Sequence, residues 1–104
     1  MLIMNKDRIV ARSFPTGGPV KGFRVEPDAT YMDVPLILFR KREEVSWQEF
    51  YDWVIKRCFP RTRVNADVLL RSIGLSSYEP WAIVTKTNAM LPMEDDFWVD
   101  FNNE

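Results

Sequence analysis

Ser46-Trp47-Gln48-Glu49-Phe50-Tyr51-Asp52-Trp53-Val54-Ile55-Lys56-Arg57 begins with a capping box. The Ser46 hydroxyl can accept the N–H of the third helical residue while Glu49 reaches back to the Ser46 N–H, so two orphan donors are satisfied together. Trp47, Phe50, Tyr51, Val54 and Cys58 then recur at helical spacing and form one apolar face. The helix is expected to run to about Arg57, with Pro60 ending it or the turn behind it. A second helix is expected over Ala66–Ile73, with Asn65 as N-cap and Gly74 as terminator. Its buried stripe is Ala66, Leu69, Leu70 and Ile73. Ser76 or Ser77 can cap a third helix carrying Glu79 and Pro80 in its first turn. Trp81, Ile83 and Val84 would pack from it, and Asn88 would stop it.

Strands flank this helical region, residues 46–88. Leu2-Ile3-Met4 and Ile9-Val10-Ala11 surround the polar triplet Asn5-Lys6-Asp7 and predict an N-terminal hairpin. Val34-Pro35-Leu36-Ile37-Leu38-Phe39 is a continuous apolar run, read as a central strand, 34–39, buried on both faces. Phe97, Val99 and Phe101 alternate with Asp96, Trp98 and Asp100, which predicts a half-buried strand over 96–101. Residues 14–30 carry Pro15, Gly17, Gly18, Pro19, Gly22 and Pro27, too dense a punctuation for a helix. They read as an irregular loop with a short strand at Gly22–Val25. The expectation is a single α+β domain, 1–104, with a small antiparallel or mixed sheet packed against three short helices.

Composition agrees with one globular domain. The chain has 104 residues, 46% of them hydrophobic, and seven Phe with four Trp suffice for a core. Fourteen basic and fifteen acidic residues leave a net charge of −1, which predicts no bulk attraction to polyanions. The distribution is uneven. Lys56 to Arg71 holds five cations and one acid, Asp67, whereas Glu94 to Glu104 holds five acids and no base. Such asymmetry either serves a partner or closes within the molecule. One cysteine and no histidine exclude an internal disulfide and a Cys-rich zinc site and fit a reducing compartment. Met1-Leu-Ile-Met is too short for a signal-peptide core, and no apolar run reaches membrane-spanning length. A cytoplasmic protein without membrane contact is expected.

No catalytic apparatus is visible. Cys58 and the serines lack a base motif, no carboxylate pair is specified, and neither a metal nor a cofactor is expected. Gly17-Gly18 near Lys21 fails the P-loop pattern, because Pro19 intervenes and loop follows. Glu94, Asp95, Asp96 and Asp100 lack the glycine and terminal glutamate of a calcium loop and read as a solvated strand edge. Cys58 lies on the apolar face as a packed thiol; were it exposed, Arg57 and Arg61 would lower its pKa.

The candidate partner-binding residues are Trp53, Lys56, Arg57, Arg61, Arg63 and Arg71. Trp53 falls off the apolar face of its helix, where it is either an exposed anchor for a protein partner or covered by the glycine-proline loop. The cations form a basic hinge between two short helices. One reading is a solvated or internally paired cluster. Another is a helix-turn-helix contact to nucleic acid, although the turn from Cys58 to Val64 is long and the second helix offers only Asp67 and Arg71 to read bases.

Several segments together resemble the N-terminal, non-kinase region of Firmicute HipA-like kinases. They are Leu2-Ile3-Met4-Asn5-Lys6-Asp7, Pro35-Leu36-Ile37-Leu38, Trp53 through Arg63 with its Arg-Cys-Phe-Pro-Arg-Thr-Arg core, Gly74-Leu75-Ser76 and Asp96-Phe97-Trp98-Val99, in that order. These proteins are kinase-like toxins of toxin–antitoxin modules, and in some systems the N-terminal part is encoded separately as the antitoxin. The resemblance implies a stand-alone accessory subunit that binds and regulates a kinase-like protein. It transfers no kinase activity, since no ATP-binding or catalytic-loop signature is present. It assigns no role to individual residues. The expected function is therefore a non-catalytic protein-interaction module; the alternative is a nucleic-acid-binding regulator.

Overall fold

The computed structural model describes residues 1–103. Five strands form one antiparallel sheet: β1 Leu2–Asn5, β2 Arg8–Phe14, β3 Gly22–Val25, β4 Glu44–Ser46 and β5 Phe97–Asp100, in the spatial order β4-β3-β2-β1-β5. Four helices accompany it: α1 Leu36–Phe39, α2 Trp47–Ile55, α3 Ala66–Ser72 and α4 Pro80–Thr87. The class is α+β, as expected.

The N-terminal hairpin forms with Asn5 opposite Arg8, so its loop is the pair Lys6-Asp7 with Lys6 at φ 56°, shorter than the triplet expected. Ile3 pairs with Ala11 but Met4 with Ile9, which leaves Val10 as an extra residue in β2. Val10 and its neighbour Ala11 are thereby both fully buried in the core. Ile3, Ala11, Phe23, Val45 and Val99 form the core face, where α2 packs with the Phe50 ring stacked 4.1 Å from that of Phe23. Each such buried ring is worth about 2–3 kcal/mol. Gly22 is required by the approach of β4, since a Cβ there would lie 2.2 Å from the Val45 carbonyl oxygen.

The capping box at Ser46 is present in both directions, with the Glu49 N–H donating to Ser46 Oγ at 3.2 Å and the Ser46 N–H to Glu49 Oε1 at 3.1 Å. It contributes about 1 kcal/mol to α2. Trp47 and Tyr51 carry α2 onto α4 through Trp81, with ring centroids 5.7 and 5.5 Å apart. The N-cap of α4 is Glu79 followed by Pro80 rather than a serine, and Asn88 closes it in the left-handed conformation. α3 is peripheral. Its Ala66 and Leu70 are buried, yet neither belongs to the central cluster. Asn65 occupies its N-cap without a side-chain bond, and Gly74 at φ 81° follows its end.

The expected central strand over 34–39 is not a strand. Val34 and Pro35 are buried, and α1 begins at Leu36 with Pro35 as N-cap. The Leu38 and Phe39 N–H groups donate to the Pro35 carbonyl at 3.1 and 3.0 Å. Arg40 and Lys41 both take positive φ, and the Arg42 guanidinium donates to the Leu38 and Phe39 carbonyls at 3.3 and 3.2 Å. A proline that presets φ and a side chain that serves the terminal carbonyls make a single helical turn cheaper than a strand. The consequence is directional: Leu38 and Phe39 enter the core while Leu36 and Ile37 face outward. The sheet position beside β3 goes instead to β4, Glu44–Ser46, for which no strand was expected.

Candidate functional site

Leu36, Ile37 and the preceding Met32 form one wall of a groove whose opposite side comes from α2. The groove encloses about 780 Å³, is floored by Trp53, and is lined by charges of both signs, among them Arg40, Asp52, Lys56 and Glu94. Met32, Leu36 and Ile37 are 74%, 54% and 80% exposed. Apolar side chains this open are here gathered at a concave surface rather than scattered singly. Trp53 is half-buried, with its ring 6.2 Å from that of Phe50. It lines the groove together with Met32 and residues 34–38, and no residue of the glycine-proline loop lines it.

Behind Trp53 lies the strongest polar assembly in the molecule. Arg57 is only 6% exposed. Its Nε donates to the Ala89 carbonyl at 2.6 Å, and its Nη1 and Nη2 grip the Asp95 carboxylate at 2.9 and 2.6 Å. Nη2 also donates to the Phe97 carbonyl at 2.9 Å. The guanidinium carbon stands 4.9 Å from the centroid of the Trp53 ring. This bidentate, stacked geometry suits arginine's rigid fork. Asp95 in turn accepts the Phe97 N–H at 3.0 Å, and the Arg57 guanidinium holds its carboxyl below the usual carboxylate range. The Val99 N–H donates to the Asn88 carbonyl at 2.8 Å. The outer edge of β5 is thus capped at Phe97 and Val99, which blunts addition of another strand.

Arg57 therefore leaves the set of surface contacts in which the sequence placed it. A carboxylate reached across the fold neutralises it, and it acts as a latch joining α2, the turn at Ala89 and β5. The other expected residues divide. Trp53 and Lys56 line the groove, whereas Arg61, Arg63 and Arg71 do not. Arg61 lies over the Tyr78 ring, 5.0 Å from its centroid. The Tyr78 hydroxyl donates to the Phe59 carbonyl at 2.6 Å and neighbours Cys58 Sγ at 3.4 Å. Burial, then that thiol, pushes the phenol up to about 12. Cys58 itself is half-buried and packed against the core.

Sequence reasoning missed Leu36 and Ile37 because a strand buried on both faces would have hidden them, and Met32 because no element was assigned to it. The available signal was Pro35 followed by only four apolar residues and three successive cations, Arg40-Lys41-Arg42, one of which could cap a helical turn. Among the described residues, no group of three or more cysteine or acidic side chains is placed to hold a metal, and no helix is long and apolar enough to cross a membrane. No family model, no curated protein and no solved structure matches the chain.

Proposed function

We propose that this chain is a non-catalytic protein-interaction module that receives a protein partner in the groove over Trp53. The observation that carries the reading is the apolar rim of Met32, Leu36 and Ile37, open to water beside a half-buried tryptophan whose back is fixed by the Arg57 latch. Tryptophan and aliphatic anchors dominate the binding energy of such surfaces, and a preset anchor loses little freedom on binding. Lys56 and Glu94 at the border supply orientation more than affinity. The partner suggested by the sequence resemblance is a HipA-like kinase, which the module would regulate as an antitoxin or accessory subunit.

The nucleic-acid alternative has less support. One cation of the basic hinge, Arg57, is buried, and the groove sets carboxylates, Asp52 and Glu94 among them, beside its apolar rim, where a phosphate backbone would be repelled.

Titration of the chain with a purified HipA-like kinase core by calorimetry tests the reading. Trp53→Ala and Ile37→Asp are each expected to weaken the complex by about 2–3 kcal/mol, roughly thirtyfold or more, with circular dichroism unchanged for Ile37→Asp. Equal affinity for wild type and both variants would remove the groove from the interface. No binding by the wild type would remove this class of partner.

A further inference from the structure

A second surface lies outside the groove. Among the described residues, only one of the five cations between Lys56 and Arg71 meets a carboxylate, and that is Arg57. Arg63 and Arg71 are exposed, and Arg61 is held in place over Tyr78. Between them stand two bare valines, Val64 at 97% and Val68 at 56% exposure. Backbone geometry gathers these residues. The Arg63 N–H donates to the Pro60 carbonyl and the Ala66 N–H to the Arg63 carbonyl, both at 3.0 Å, so consecutive turns lead directly into α3. Val68 and Arg71, three apart, share its outer face while Ala66 and Leu70 take the buried side. Among the described acids of the C-terminal run, Asp95 is engaged by Arg57, Asp96 lies 3.9 Å from Lys6, and Glu94 lines the groove.

We propose that this face docks an acidic peptide segment of a protein partner, one that interleaves carboxylates with aliphatic side chains. Charge complementarity sets the sign, because three arginines stand here against the single acid Asp67. The valines set the class. A phosphate backbone would engage the arginines but leave Val64 and Val68 in water and meet Asp67 unfavourably. A segment of repeating glutamates and leucines would neutralise the guanidinium groups and cover both valines. The inference is independent of the groove, since none of these residues lines it.

Fluorescence anisotropy with the full chain and three labelled probes decides it: a peptide of repeating Glu-Glu-Leu units, polyglutamate of equal charge, and a short DNA duplex. The Glu-Glu-Leu peptide is expected to bind saturably and at least about fivefold more tightly than either other probe. Arg63→Glu combined with Arg71→Glu should weaken it about tenfold or more, and Val68→Ser severalfold, with thermal melting unchanged. Trp53→Ala should leave it intact, which separates this test from that of the groove. Absence of saturable peptide binding, tighter or equal binding of duplex or polyglutamate, or indifference to the arginine and valine substitutions would each overturn the proposal.

Discussion

Arg57 and Arg61 are one helical turn apart in the chain, yet they live in different solvents. The first is closed within the fold, bonded to a carboxylate and two carbonyls and stacked on Trp53; the second stands exposed over a tyrosine ring. What separates them is access to an acceptor. Arg57 sits just past the end of α2, where Asp95 and the edge of β5 come within reach, whereas Arg61 and Arg63 on the turn after Pro60 and Arg71 on α3 meet no carboxylate among the described residues. A run of like charges is thus not a single surface. One member is tied into the fold, and Arg61, Arg63 and Arg71 stay at the surface.

This contrast is broken most severely by Arg57→Met. Asp95 and the Ala89 and Phe97 carbonyls would lose their donor, and the expected loss is about 3 kcal/mol, read as a lowered urea midpoint. The double variant Arg57→Met/Asp95→Leu should recover part of that loss, because no lone charge then remains. A single variant as stable as wild type would mean that the latch is ornamental.

The two sides of α1 sharpen the same point. Leu38→Ala, on the buried side, should cost about 2–3 kcal/mol, while Ile37→Ser, on the open side, should stay within about 0.5 kcal/mol. Equal costs would place Ile37 in the core and abolish the groove's rim.

Acid provides a graded test. Asp95 is held below its ordinary value by Arg57, and Glu49 is lowered to about 2 by its bond with Arg42 and then by the Ser46 N–H. Both carboxyls are therefore more acidic folded than unfolded. Their stabilisation is complete at neutral pH and is lost as pH falls from about 4.5 toward about 2. Urea midpoints across that window should decline in the wild type and decline less steeply in Arg57→Met, which lacks the Asp95 share. Parallel slopes would contradict the pairing. The smallest effect belongs to the open arginines: Arg63→Ala and Arg71→Ala should each alter stability by less than about 0.5 kcal/mol in the same measurement.

Local signals in the sequence carried much of this architecture. The capping box at Ser46, the proline at the start of α4, the hairpin around Lys6-Asp7 and the alternation from Phe97 all express themselves within a few residues. Where the sequence misled, the deciding partner was distant or the segment was short. Val34–Phe39 is too brief for periodicity to separate strand from helix, and the caps at Pro35 and Arg42 settled it. β4 is three residues at the end of a charged stretch, recognisable only through its pairing with β3. The burial of Arg57 depends on a carboxylate 38 positions away. The uneven charge of Lys56–Arg71 and Glu94–Glu104 left closure within the molecule open, and Arg57 with Asp95 realises it for one cation of the five; the four-residue spacing from Trp53 to Arg57 allowed the stacking.

The partition of the arginines is tested most directly by side-chain NMR of isotope-labelled protein while the Glu-Glu-Leu peptide is added. The Arg57 Nε–H should exchange slowly with water and hold its position throughout, while the Arg63 and Arg71 signals exchange fast and move with the peptide. Rapid exchange at Arg57, or movement of Arg57 alone, would contradict the account.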